Sequence, residues 1–265
     1  MGTTKRVAAM KYDEIILPVH PDHVLKLKTK AKPYTCNGCY EYGLHTRYTC
    51  NEPSCNFHLH KACALGSIHE PTITHAFYPN RTFLFLASPE NAGQICNACA
   101  REIKGCNYHC FDEDLYLHPS CAKLPFTRDE GDVKLALKYK VSSKCYKCKK
   151  KKYKDEKRSW SYACEDCHLH VACVKDMLIE DWERGYLGHG GGSGKGKAKV
   201  KDEMALVATE MPKLQIVIDK GKKKWSSKLA KIVKYMKIII ASIIGAVTGD
   251  PTALVLSLIS STSSG

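Results

Sequence analysis

The residues with the greatest chemical potential are cysteines and histidines at fixed spacing. Cys36-x2-Cys39 is followed by Cys50-x4-Cys55-x4-His60-x2-Cys63, with His20 and His23 upstream. Cys96-x2-Cys99 is followed by His118-x2-Cys121, and Cys145-x2-Cys148 by His170-x2-Cys173. Hydrophobic packing does not ask for such pairs. A zinc ion does, because it takes four thiolate or imidazole donors in a tetrahedron, and a Cys-x2-Cys turn delivers two of them from one knuckle. Thiol redox chemistry would use the same Cys-x2-Cys pairs. The spacing argues against it: in each case a His-x2-Cys follows with 18 to 21 residues between, and no βαβ pattern surrounds the pairs as a thioredoxin-like site requires.

The elements that must position these donors are short. Cys63, Cys121 and Cys173 mark a recurrence every 50 to 60 residues along the 265-residue chain, so the chain divides into small units rather than one large domain. A unit of about 50 residues buries about 60% of its unfolded surface or less. Metal binding worth roughly 10–16 kcal/mol makes up the deficit. All 15 cysteines lie between residues 36 and 173; an odd number cannot all pair within one chain. Met1-Gly2-Thr3-Thr4-Lys5-Arg6 has no apolar signal-peptide core, and position 6 lacks the Ser or Thr of a myristoylation signal. The expected setting is cytoplasmic or nuclear, peripheral to membranes at most and not secreted, with reduced thiols.

The net charge of +14 is concentrated. Residues 138–158 hold 11 Lys/Arg against 2 Asp/Glu, and residues 195–237 hold 13 against 4. Basic character therefore belongs to the third unit and the tail.

In the first unit, Val24 to Lys28 alternate as a short strand does. Arg47-Tyr48-Thr49 reads as a strand running into Cys50, and Phe57 to Leu65 as a short helix that carries His60 and Cys63 inward. With these motifs, residues 15–180 resemble the divergent C1 domains of plant cysteine/histidine-rich proteins, distant relatives of the phorbol-ester and diacylglycerol-binding zinc domain of protein kinase C. The resemblance implies small zinc-stabilised α+β modules of short strands plus a short helix, three in tandem, over residues 15–75, 76–127 and 128–183. It also implies two interleaved zinc sites in the first module. One would be Cys36, Cys39, His60 and Cys63. The other would be His23, Cys50, Cys55 and His75, with His20 and His69 as alternatives at the histidine positions.

The later modules depart from this pattern. In the second, Tyr78-Pro79-Asn80-Arg81 stands where the first has His20-Pro21-Asp22-His23, and Glu113 stands in the place of Cys55. One site is expected there, Cys96, Cys99, His118 and Cys121, with Cys106 and Cys110 left over; a metal on Cys106, His109, Cys110 and Asp112 or Asp114 is the weaker reading. The third keeps Cys145, Cys148, His170 and Cys173, and adds Cys164-x2-Cys167 without convincing histidine partners; Asp132, His168 or His189 would have to serve. About four zinc ions per chain are expected. Val171 to Trp182 reads as a closing helix. Residues 184–202 form a Gly/Lys-rich flexible linker, and residues 203–265 a basic helical tail. Within the tail, residues 226–248 place Leu229, Ile232, Val233, Met236, Ile239, Ile240, Ile243, Ile244 and Val247 on one helical stripe beside a row of lysines. Its uncharged run, Ile238 to Gly249, falls short of the roughly 20 residues needed to span a bilayer.

Four protein donors per site leave no open coordination position, so no catalytic zinc is expected and the chain is read as a non-enzymatic binding or adaptor protein. The resemblance places such proteins in plant signalling or stress response. A protein partner is expected. Direct diacylglycerol binding is not, because the segment between Cys39 and Cys50 lacks the Gln-Gly and the apolar tips of the lipid-binding relatives. Nucleic acid is an alternative partner, through Lys149–Lys152 with Tyr146, Tyr153 and Trp160 nearby. A membrane surface is another, through residues 226–248.

Overall fold

The computed structural model describes residues 12–30, 32–130, 133–155, 159–163 and 168–187, together with residues 238, 239, 243, 245 and 246. Among these the protein is strand-rich, with few helices. A hairpin of β1 (Glu14–Leu17) and β2 (His20–Thr29) leads through a two-stranded ribbon, β3 (Tyr34–Thr35) with β4 (Tyr42–Gly43), to β5 (Thr46–Cys50), β6 (His58–Leu59) and α1 (Lys61–His69). The first sheet has the order β1-β2-β5-β6. Leu25 pairs opposite Cys50 at its centre, and Leu25 and Tyr48 are fully buried.

The same arrangement recurs twice. β7 (Thr72–His75), β8 (Tyr78–Leu86), β9 (Asn107–Cys110) and β10 (Leu115–Leu117) pair consecutively, followed by the one-turn α2 (Pro119–Ala122). β11 (Thr127–Glu130), β12 (Val133–Lys138), β13 (Ser161–Ala163) and β14 (His168–His170) do so again, followed by α3 (Val171–Leu187). In β12 the alternation of Val-Lys-Leu-Ala-Leu-Lys turns Leu135 and Leu137 inward. The division after His75 expected from sequence falls inside the second sheet: β7 pairs with β8, so that unit begins by Thr72. The third sheet likewise begins at Thr127. α3 runs to Leu187, past Trp182 and past the linker boundary expected at 184.

The units are not separate beads. Phe85 of β8 and Cys106 pack into the core of the first sheet. A second cluster joins the second and third sheets and also includes Leu44. His75 stacks on Trp160 (ring centroids 4.5 Å apart), and Phe77 meets Phe126 and Trp160 edge-on. Of the tail, Ile238, Ile239, Ile243 and Ala246 are helical and buried in this same cluster. Apart from Gly245, the other tail residues, and residues 188–202 of the linker, lie outside the described residues. No helix among the described residues is long and apolar enough to cross a membrane.

Candidate metal centres

Each of the three main centres grows from one repeated backbone device. In the knuckle, the N–H of Cys36, Cys96 and Cys145 donates to the carbonyl of Glu41, Arg101 and Lys150 respectively, five residues on. The N–H of Tyr40, Ala100 and Lys149 returns to the first cysteine's carbonyl. Those three residues all sit in the left-handed region, at φ 61°, 52° and 59°. Folding the loop this tightly turns both cysteine side chains to one side. The residue after the first cysteine ties the knuckle to its sheet: the N–H of Asn37, Asn97 and Tyr146 donates to His58, Tyr116 and His168. Asn37 and Asn97 also accept the N–H of His58 and Tyr116 through Oδ1.

The strand that ends just before the helix then delivers the histidine, and the helix delivers the last cysteine. Cys36, Cys39, His60 and Cys63 converge, as do Cys96, Cys99, His118 and Cys121, and Cys145, Cys148, His170 and Cys173. The donor atoms within each group all lie within 4.8 Å of one another, a span that one tetrahedral ion can bridge. His60 Nδ1 lies 3.3 Å from Cys39 Sγ, His118 Nδ1 3.4 Å from Cys99 Sγ, and His170 Nδ1 3.5 Å from Cys148 Sγ. In all three the opposite nitrogen faces a carbonyl three residues beyond the second knuckle cysteine: Tyr42 O at 3.2 Å, Glu102 O at 3.3 Å and Lys151 O at 3.1 Å. An Nε2–H donated to that carbonyl leaves Nδ1 with its lone pair toward the sulfurs, the tautomer a metal needs. Gly43 makes room for this, since a Cβ there would stand 2.7 Å from His60 Nε2 and 2.2 Å from the Tyr34 ring.

In a crowded site one thiol ionises readily while its neighbours are pushed up, Cys173 by its hydrogen bond to Cys145 and Cys63 by burial. Hydrogen bonds from Cys173, opposed by burial, hold the Cys145 thiol down to about 2. At Cys36, burial works against ionisation, yet hydrogen bonds from Cys39 and Cys63 and the charge of His60 bring the thiol well below its ordinary range. A site that already favours one thiolate among its cysteines is prepared for a cation.

The fourth cluster is different in kind. It joins His20, His23, Cys50 and Cys55. His20 Nε2 lies 3.5 Å from Cys55 Sγ and 3.2 Å from His23 Nδ1, and the His20 ring stacks on Phe57 at 4.3 Å. Its two-thiolate, two-imidazole donor set also suits zinc, but it sits nearer the surface than the other three. Here the sequence expectation needs correction. His75 is not a donor; β7 carries it into the second sheet, where it stacks on Trp160 and its Nδ1 accepts the Phe77 N–H at 3.2 Å. His20, expected only as an alternative to His23, joins it in the cluster instead. His69 lies edge-on to Tyr12 at the end of α1.

The second sheet shows what becomes of this site without its ligands. Phe83 of β8 occupies the place of Leu25, which puts Tyr78 and Arg81 where the first sheet has His20 and His23. Arg81 Nη2 pairs with Glu113 at 2.5 Å, so an ion pair joins the two segments that supply the fourth cluster in the first sheet. Cys110 is fully buried, and Cys106 points away from it into the first core, in hydrogen-bonding contact with Cys39 and Cys63. Neither belongs to a cluster among the described residues. His109 is stacked on Tyr116. In the third sheet Glu130 and Val133 stand at the two histidine positions. Cys164 and Cys167 lie outside the described residues, and His168 Nδ1 bonds Ser143 Oγ at 2.8 Å.

Residues 18–64 match the family model of the C1 domain. That segment holds all eight donors of the first and fourth clusters, and it is similar to a divergent C1-type domain. No curated protein and no solved structure matches the chain.

Proposed function

We propose that the chain is a non-enzymatic zinc-binding adaptor built from three tandem divergent C1-type modules, with four zinc ions holding the recognition surfaces in shape. One observation carries the reading: every cluster converges four protein donors, so a bound zinc has its coordination filled and nothing is left to activate water or substrate. The site is therefore suited to structure and not to turnover. The partner we propose is another protein, in plant intracellular signalling or stress response, in a cytoplasmic or nuclear setting; the C1-type likeness and the free cysteines support this reading.

Native mass spectrometry of reduced protein tests the metal content. Four zinc ions per chain are expected, and Cys63→Ser should lose at least one. Five or six would mean that second sites exist in the later modules as well. A folded chain with zero or one zinc and intact disulfides would discard the scaffold and favour thiol redox chemistry.

A second reading, nucleic-acid binding, is favoured by the exposed run Lys149–Lys152, where Lys149 Nζ lies 4.3 Å from the Tyr146 ring centroid. If it holds, replacing Lys149–Lys152 by Ala abolishes binding to a labelled single-stranded oligonucleotide, and wild-type affinity falls steeply with salt. Binding indifferent to both changes excludes this surface.

A further inference from the structure

The second centre does not end at its four donors. Lys175, from the first turns of α3, is 8% exposed and reaches across from the third sheet. Its Nζ lies 3.5 Å from Cys121 Sγ, 3.9 Å from Cys99 Sγ and 2.8 Å from Glu41 Oε2. Glu41 belongs to the knuckle of the first unit, and its other oxygen lies 3.8 Å from His118 Nε2. Arg101, next to the second knuckle, bridges the same two neighbours: it lies 3.6 Å from Glu41 and 2.5 Å from Asp176. Tyr153 adds a hydrogen bond to Asp176 at 2.7 Å. One metal cluster thus receives a carboxylate from the unit before it and an ammonium from the unit after it, two groups 134 residues apart in the sequence, the ammonium 54 residues from Cys121.

Charge explains the choice of groups. Three thiolates, a neutral imidazole and Zn²⁺ sum to a formal charge of about −1. A buried ammonium on the thiolate side balances it, and Glu41 then balances the cations. Burial works against Lys175 as a cation, and the sulfurs of Cys121 and Cys99 and the Glu41 carboxylate are the counter-charges within its reach. Glu41 in turn lies among Lys175, His118 and Arg101, which compensate its buried carboxylate. A buried ammonium without such partners would be strongly destabilising.

On the reading that the clusters are zinc centres, we infer that the middle centre is the docking point of the molecule, its zinc retention coupled through Lys175 and Glu41 to the seating of the flanking units. Coupling of this kind is reciprocal. Docked neighbours slow metal loss from the middle centre, and a loaded middle centre holds the neighbours in place. Lys175 and Glu41 are positioning residues here; neither supplies a bond to the metal.

The test uses the full zinc-loaded chain and its Lys175→Met and Glu41→Gln variants. Zinc is counted by native mass spectrometry. Each protein is then challenged with EDTA while cysteine alkylation is followed peptide by peptide. Both variants should start with four zinc ions. Alkylation of Cys96, Cys99 and Cys121 should then be roughly tenfold or more faster in Lys175→Met, in line with the 10–100-fold usual for groups that hydrogen-bond metal ligands. Cys36, Cys39 and Cys63 should keep the wild-type rate. Glu41→Gln should show a smaller acceleration at the same three cysteines, and the double variant less than the product of the two effects. Four zinc ions with unchanged rates at Cys96, Cys99 and Cys121 would overturn this inference alone, as would an acceleration spread evenly over all centres. A wild-type chain with no zinc would overturn both the inference and the zinc reading beneath it.

Discussion

At the scale of single residues, the decisive contrast is between two histidines. His20 stacks on Phe57 and turns Nε2 to Cys55, whereas His75 stacks on Trp160 and turns away from every cysteine cluster. His20→Ala should therefore lower the zinc count by one, and His75→Phe should leave it at four, both read by native mass spectrometry. His75 also carries a pH effect. Burial alone pushes its imidazole down to about 4 from an ordinary 6.5. Between those values the unfolded chain binds a proton that the folded chain refuses, so stability falls as pH drops through that window and is untouched above it. His75→Phe should flatten the wild-type slope between pH 6.5 and 4 in denaturation curves followed by tryptophan fluorescence. The sequence could rank these histidines only by distance along the chain. In a regular strand, residues three apart face opposite ways, which makes His20 and His23 look incompatible. The irregular pairing of β1 and β2, with Leu17 opposite His20, lies where both rings reach one cluster.

At the scale of elements, the knuckles were legible because the Cys-x2-Cys and His-x2-Cys spacings encode them locally. What spacing did not reveal is the left-handed residue that closes each knuckle, since Tyr40, Ala100 and Lys149 share no side-chain chemistry. Holding a non-glycine residue there costs about 1–2 kcal/mol. Ala100→Gly is thus expected to stabilise the zinc-loaded chain by about 1 kcal/mol in equilibrium denaturation, since it relieves that strain at a site with almost no side chain to lose. The comparison of sheets makes a stronger prediction. Arg81 and Glu113 pair where the first sheet holds metal donors, and Cys110 still stands where Cys50 does. Tyr78→His, Arg81→His and Glu113→Cys together should rebuild a His2Cys2 set, raising the zinc count from four to five. An unchanged count in folded protein would mean that the second hairpin no longer brings these positions within ligand distance.

At the scale of the whole molecule, little was legible. Contacts such as Glu41 with Lys175 join residues more than a hundred positions apart, and nothing local to either one signals the other. The same holds for the close approach of Gly105 to Gly38, where a Cβ would stand 1.9 Å from the carbonyl oxygen. The tail is the clearest case. Its apolar stripe was readable, but a stripe of this kind serves lipid, a partner or the chain's own core equally well. Ile238, Ile239, Ile243 and Ala246 lie in the cluster shared by the second and third sheets, and Ile239 and Ile243 are fully buried. Burying an isoleucine side chain contributes about 1.5–3 kcal/mol, so the segment should contribute measurably to the stability of the zinc-loaded body. Ile239→Asp places an unpaired carboxylate there, and the segment can avoid burying it only by undocking. The expected loss is about 3 kcal/mol, read as a lower denaturation midpoint with the zinc count still at four. Anionic vesicles supply the contrast. If the stripe served lipid alone, the same substitution would abolish co-sedimentation and leave the midpoint where it was. A fall in the midpoint without added lipid identifies the chain's own core as the surface this stripe covers.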